Sequence, residues 1–518
     1  MAQDNRVAHD TPDRPEEGAP PGTPAPGPGH DVTDRPGTDH SGTGDAGTAP
    51  VARSGLVLGV LVLAAVVMLL NETLLAVALP YIMRDYGITA ATAQWLSTGY
   101  MLTMAIVIPT TGYLLNRFTT RHMLAAALGA FCAGTLVAAL APAFPVLLLA
   151  RVVQATGNAM MLPLLMTVAL IIIPPERRGF VMGIIGVAIS VAPAIGPTLS
   201  GFILEHATWH WLFWFMLPIG LLTLGAGMAY LRNVGETRRT HLDVLSVILS
   251  VFAFGGLVYA IGAMSQVLAG QTYVPLIALG VGAVGLVLFV RRQIRLLRDD
   301  RALLDLRPLR VRTFTLSLAV IAIGLGMLIG TVTVLPLHLQ NGVGVSALAT
   351  GLIVLPGAVV QGIISPFVGR VYDSVGPRPL VIPGAALMAV ALWVFSALGA
   401  GFPIWLLIVM HCTLCTGLAL VMTPLMTLAL SALPPRLYAH GSAILNTLEQ
   451  LAAALGVAIL VGAMSVGLSS AAAGGAGPAD AQFAGTRLAF TVGGVIMLVA
   501  VALTFLIRTP SGGRTGSE

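Results

Sequence analysis

Apolar runs of about twenty residues recur along most of the chain, separated by short stretches where Arg, Gly and Pro gather. A hydrocarbon core of roughly 30 Å needs about 20 apolar residues per helical crossing. By that measure the runs near 54–80, 92–115, 122–142, 144–171, 179–204, 211–231, 243–265, 273–291, 314–338, 349–368, 379–399, 404–431, 440–467 and 487–507 predict fourteen membrane-spanning helices. Residues 1–52 break the pattern, being rich in Pro, Gly, Asp and Thr without the apolar core of a signal peptide. They predict a disordered cytoplasmic tail, and residues 509–518 a second, shorter one.

The polar positions then orient the spans. All 27 residues counted as Lys or Arg are Arg, a bias that suggests a GC-rich bacterial genome. With the N-terminus in the cytoplasm, 21 of them fall on that side against two outside, Arg84 and Arg487. Cationic connections stay cytoplasmic, so both termini are expected inside. The basic pI of about 9.4 therefore reports orientation and does not call for a nucleic-acid partner. With 56% hydrophobic and 9% charged residues and a mean hydropathy of +0.89, the expected setting is the bacterial cytoplasmic membrane, in contact with lipid.

A repeat divides the spans. Gly112, Asn116 and Arg121 match Gly369, Asp373 and Arg378 at one offset of 257, and Leu79-Pro80 recurs as Leu335-Pro336. The expected organisation is an all-α polytopic protein: a six-helix half over 53–232, an inserted helix pair and cytoplasmic linker over 233–312, and a second six-helix half over 313–508. Parallel repeats of this kind place a substrate path at their interface, where one half rocks against the other.

Few residues carry chemistry. No GxxxxGK[ST] phosphate loop is present, which argues against an ATP-driven pump. No span gathers a nucleophile, a base and oxyanion donors, so an enzyme is not expected. Cys132, Cys412 and Cys415 lie in apolar runs and read as packing, with no metal site. Glu72 in the first span and Arg151 in the fourth are ionisable groups where burial is costly, which marks both as functional candidates. Counted from the predicted span ends, both lie about 10–12 Å below the outer surface and can pair. Burial favours a neutral carboxyl and a guanidinium favours a charged one, so Glu72 tuned by Arg151 could exchange a proton for substrate, with Gln154 one turn along.

The ordered motifs LNETLLAVALP (70–80), GYLLNRFTTRHML (112–124), RVVQATG (151–157), APAIGPTLSG (192–201), WHWLFWFMLPIG (209–220), LPLHLQNGVG (335–344), GRVYDSVGPRPL (369–380) and HGSAILNTLEQ (440–450) resemble the major facilitator superfamily. Within it they are similar to the fourteen-helix drug:proton antiporters that include multidrug and lincomycin-type exporters. The resemblance implies a major-facilitator fold working as a monomer. It implies proton-coupled export of drug-like, apolar or cationic small molecules, with the proton gradient as driving force and no cofactor. An importer, or an exporter of one endogenous metabolite, would share the fold, and a channel or sensor would need neither repeat nor buried acid.

The resemblance also distributes roles. Gly186, Pro193, Gly196, Pro197 and Gly201 match the antiporter motif of exporters, in which Pro removes backbone donors and Gly permits close helix approach. Asn71 stands where the broader family usually has Asp, with the carboxylate one residue later at Glu72, a turn of about 100° around the helix. Gly112, Asn116, Arg117, Arg121, Gly369, Asp373 and Arg378 match the cytoplasmic latch, which closes by capping a helix end or by pairing Arg across the halves. Asn71, Gln154, Met161, Phe213, His338, Gln340 and Glu449 are the candidate lining of the substrate cavity. Met160, Met166, Phe215 and Met216 are weaker ones. Glu449 is expected near the cytoplasmic end of its span, where water reaches it.

Overall fold

The computed structural model describes residues 49–231, 233, 243–264, 267, 272–299, 301–399 and 401–507. The tails expected over 1–52 and 509–518 lie outside these residues, apart from the start of the first helix. The long helices follow the predicted order: α1 Ala49–Tyr86, α2 Trp95–Arg117, α3 Thr120–Ala139, α4 Phe144–Ile172, α5 Arg178–His206, α6 His210–Tyr230 and α7 Val244–Gly262. After them come α8 Val274–Leu296, α9 Arg312–Leu337, α10 Ala347–Val375, α11 Arg378–Phe395, α12 Ile404–Ser431, α13 Tyr438–Ala473 and α14 Pro478–Leu506. Among the described residues thirteen of these helices are long and apolar enough to cross a membrane, and α5, with 29 residues, carries the fifth predicted run. No strand occurs among the described residues.

Where the helix ends differ from the predicted spans, local chemistry explains it. Pro80 does not stop α1, which continues to Tyr86 with Pro80 inside it. The bilayer leaves an exposed backbone no water to bond, so a helix carries its internal hydrogen bonds past a proline. α14 starts at Pro478, nine residues before the predicted span, because Pro fits the first helical turn, where no N–H partner is required. Thr119 and Asp243 cap α3 and α7 by accepting the N–H groups of His122 and Ser246. Arg292 of α8 grips the Asp243 carboxylate with both Nε and Nη2 at 2.6 Å and holds it down at about 2, so the bond between the inserted helices stays ionised at neutral pH.

The packing of the first half is repeated in the second. α1 packs on α4, α5 and α6 as α9 packs on α12, α13 and α14; α3 packs on α4 and α6 as α11 does on α12 and α14. Between the halves α5 meets α10 and α2 meets α13, again one contact and its copy. The inserted α7 and α8 pack on each other, with α7 also against α2 and α13.

Within the second half the crossing of α9 and α13 depends on two glycines, since a Cβ on Gly456 would run into the Gly326 backbone and one on Gly326 would sit 2.7 Å from the Ala452 carbonyl. Gly456→Leu is expected to push these helices apart at a cost of about 1–3 kcal/mol or more. A clear fall in the thermal unfolding midpoint in detergent checks this, and an unchanged midpoint would refute the close-packing account.

Candidate functional site

α1, α2 and α4 meet around a buried guanidinium. Tyr100, Met104 and Ile108 recur every fourth residue on α2 and so share one face, which packs on Ala155 and Ala159 of α4. Arg151, 1% exposed, lays its Cζ 3.9 Å from the centre of the Tyr100 ring. Its Nη1 donates to Gln154 Oε1 at 3.0 Å, Gln154 Nε2 donates to Thr135 Oγ1 at 2.9 Å, and Thr135 donates to the Phe131 carbonyl at 2.7 Å. The cation is thus held by a ring face and an amide rather than by a carboxylate.

Glu72 belongs to the same cluster, but it does not form the expected ion pair. Among the ion pairs of the described residues there is none between Glu72 and Arg151. The Oε2 of Glu72 instead accepts from Asn158 Nδ2 at 3.4 Å. The reason is depth. Because α1 runs on to Tyr86, Glu72 lies fourteen residues, roughly 21 Å, below its outer end. Asn158 lies the same fourteen residues into α4, and Arg151 only seven, roughly 10 Å. The Arg151 side chain reaches inward to Gln154 and interacts electrostatically with Glu72 through the cluster. Glu72 is itself only partly buried. Tyr100, Thr135 and Asn158 were missing from the sequence reading; the spacing of Arg151, Gln154 and Asn158 on one face of α4 was the signal available for the last.

The other cavity candidates separate. Asn71, Gln154, Met161 and Phe213 are buried, Phe213 in the core edge-on to Trp209, so none of the four lines an open cavity. His338 is buried as well, with Nδ1 3.2 Å from the Thr486 hydroxyl and its ring against Phe483, so it packs the turn just past α9 on α14. Gln340 is exposed. Glu449 lies eleven residues into α13, roughly 17 Å from its cytoplasmic end. It therefore lies deeper than expected, and its Oε1 is buried without a hydrogen-bond partner. It continues the stripe of Ser442 and Asn446, which contact Thr167, Pro163 and Met166 of α4. Met160, Met166 and Met216 are buried and Phe215 is exposed.

The latch residues form two different devices at the cytoplasmic end. Asp373 of α10 accepts the N–H of Gly179 at 2.8 Å and of Phe180 at 3.0 Å, capping the first turn of α5 in the other half. Gly179 and Gly369 make that approach possible, because a Cβ on either would collide with the other backbone. In the copy, Asn116 of α2 meets the ring of His440 on α13, Nδ2 to Nε2 at 2.9 Å, and Gly112 leaves room for that ring. Arg121 and Arg378 do not bridge the halves. Arg121 donates to the Met228 carbonyl at the end of α6, and Arg378 to the Ile507 carbonyl just past α14. Each answers unpaired carbonyls at the end of the last helix of its own half. Arg117 is partly exposed at the end of α2.

Within the antiporter motif, Gly186 faces Ser365 of α10, and Gly196 lets α5 lie against Thr73 beside Glu72. Gly201 has open space around it. The side chains of Pro193 and Pro197 lie outside the described residues, although α5 runs unbroken through both positions.

Two repeated six-helix bundles, closed together at the cytoplasmic end around buried polar groups, define a carrier of small molecules. A family model described as Major Facilitator Superfamily matches residues 61–457, and the chain belongs to that superfamily. It is 40% identical over 445 residues to the lincomycin resistance protein LmrB of Listeria monocytogenes, covering 85% of this chain and 94% of the relative. An uncharacterized MFS-type transporter of Bacillus subtilis, YcnB, is 42% identical over 444 residues, 86% of this chain and 93% of its own length. The crystal structure of the human organic anion transporter MFSD10 has the same fold, with a TM-score of 0.61, 16% identity, and 87% and 99% of the two chains covered. The protein is a multi-pass transporter of the bacterial cytoplasmic membrane.

Asp373→Ala should weaken the cytoplasmic closure by about 0.5–2 kcal/mol, the worth of a helix cap, or roughly 2-fold to 30-fold in the open population. A cysteine at the buried Ser365, in a chain without its natural cysteines, would then react correspondingly faster with an impermeant maleimide from the cytoplasmic side. Equal rates with and without Asp373 would refute the role of the cap.

Proposed function

We propose that this transporter exports antibiotics or other small apolar or cationic compounds from the cytoplasm in exchange for protons, with Glu72 as the group that carries the proton. The observation that carries the reading is the Glu72 carboxyl, inside the first apolar span and within the electrostatic reach of a buried arginine that it does not neutralise directly. An intramembrane acid is costly unless it does work. This one can be neutral with a proton aboard and charged when the proton leaves, and the Arg151 guanidinium next to it favours the charged form. Proton and cationic substrate then compete for one carboxylate, which is the exchange an antiporter requires.

The outward direction of transport is supported by the glycine pattern of α5, which sits both on α1 beside Glu72 and on α10 at the cytoplasmic closure. A helix packed tightly along both lines hinders proton leak past the closed end. The relatives named for lincomycin resistance support a drug-like cargo. Large apolar clefts adapt to many such molecules, consistent with relatives that bear the name of multidrug resistance.

In a drug-sensitive bacterial host, the wild-type chain should raise the lincomycin concentration needed to stop growth, and Glu72→Gln, inserted at equal abundance, should abolish that protection. In inverted vesicles, lincomycin uptake should collapse on addition of a protonophore. Protection equal to wild type in Glu72→Gln would remove Glu72 from the mechanism, and uptake indifferent to the protonophore would remove proton coupling.

A further inference from the structure

Three observations around Arg151 belong together. The Tyr100 side chain is almost fully buried, with the Asn158 amide near its oxygen, yet its O–H donates to no acceptor. The Nε of Arg151, over the same ring, is likewise buried without a partner. Glu72, in the same electrostatic cluster as both, has one long contact to an Asn158 amide whose Nδ2 also lies 3.5 Å from the Met104 sulfur. A buried donor left unsatisfied costs stability, and native proteins rarely keep one without a use.

The distribution has a simple electrostatic sense. A carboxylate without water needs charged or hydrogen-bonding partners, whereas a protonated carboxyl needs far fewer. Two idle donors beside a sparsely bonded carboxyl are the arrangement expected while the proton is aboard. We propose that Tyr100 is a positioning residue of the proton site: its ring seats Arg151, and its hydroxyl is the donor that Glu72 engages when the proton leaves. This inference rests on the reading of Glu72 as the proton carrier. The charged and titratable groups facing that carboxyl are Arg151 from α4 and Tyr100 from α2. α5 and α6, which pack on α1, carry their ionisable side chains only near their ends, at Arg178, Glu205, His206, His210 and Tyr230. α13, across the interface between the halves, carries Glu449.

Tyr100→Phe separates the two duties, because it keeps the ring face for Arg151 and deletes only the hydroxyl. A donor that serves the charged form favours proton release, so its loss favours the protonated form. The test is infrared difference spectroscopy on the purified full-length chain in lipid, titrated with pH. The protonated-carboxyl band of Glu72 is identified by its absence in Glu72→Gln. In Tyr100→Phe the midpoint of that band should move up by about one pH unit, while the thermal unfolding midpoint stays level or rises because an unsatisfied hydroxyl has gone. Tyr100→Leu, which removes the ring as well, should lower the unfolding midpoint by releasing Arg151.

An unchanged band midpoint in Tyr100→Phe would overturn the proposal and leave Glu72 as proton carrier. Loss of the fold in Tyr100→Phe would also overturn it, by making the hydroxyl structural. If Glu72→Gln removes no titrating band, the reading of Glu72 itself falls, and this proposal with it.

Discussion

The contact on which the rest of the structure turns is the one between the Asp373 carboxylate and the first N–H groups of α5. The start of a helix is an array of unpaired donors with partial positive charge, and a carboxylate placed there satisfies hydrogen bonds and dipole together. Here the helix and the carboxylate belong to different halves, so the cap that any helix needs has become the fastening between two bodies. Its geometry requires bare backbone on both sides, which Gly179 and Gly369 supply, and Gly183 extends the contact to Ser365 and Pro366. Opening the cytoplasmic end leaves α5 uncapped. That cost is modest, and a fastening of this size can be undone by the binding energy of a small molecule.

The copy of this contact is built differently, and the difference follows from one sequence position. Where α10 has Asp373, α2 has Asn116, a neutral group that cannot serve a helix dipole as well as a carboxylate. α13 accordingly presents not its backbone but the ring of His440, with Gly112 making space for it. The Nδ1 of that ring lies 3.3 Å from the Asp305 N–H, and its Nε2 lies 2.9 Å from Asn116 Nδ2. A repeat that is faithful in packing thus holds one charged fastening and one neutral one. Beside the neutral one lies a cavity of about 460 Å³ lined by Asn116, Thr167, Asp305, Arg307, Arg436 and His440.

The spans, their orientation and the repeat were legible in the sequence because the bilayer imposes length, polarity and charge bias on each helix separately. Depth was not. Taking Pro80 as the end of α1 put Glu72 level with Arg151, whereas the continuing helix puts it level with Asn158. Arginines in the repeated motif were legible as charges but not as partners. Arg121 and Arg378 look like bridges between the halves and in fact hold α6 and the chain just past α14 in place, because the nearest unpaired carbonyls lie at the ends of those helices. Tyr100 was invisible for a plainer reason: a lone tyrosine in an apolar run reads as packing until the residue over its ring is known.

The inserted helices extend this logic to a part of the chain that has no copy. Asp243 is held by Arg292, the hydroxyl of Ser246 bonds Asp243, Gln293 donates to Ser246 at 2.7 Å, and the N–H of Leu304 donates to Gln293 at 3.2 Å. One residue on, the N–H of Asp305 reaches His440, and His440 reaches Asn116. A single hydrogen-bonded path therefore runs from the inserted pair, through a buried stretch of linker around Leu303, Leu304 and Asp305, into the seam between the halves. In a low-dielectric setting each member of such a path costs free energy when its partner leaves, so its parts tend to move together. Of the hydrogen bonds along this path, separation of α2 from α13 breaks only the Asn116–His440 contact, with the linker staying on the second half. That makes the neutral amide the least costly place for the path to break, and the substitution of Asn for the usual acid in the first copy acquires a physical sense.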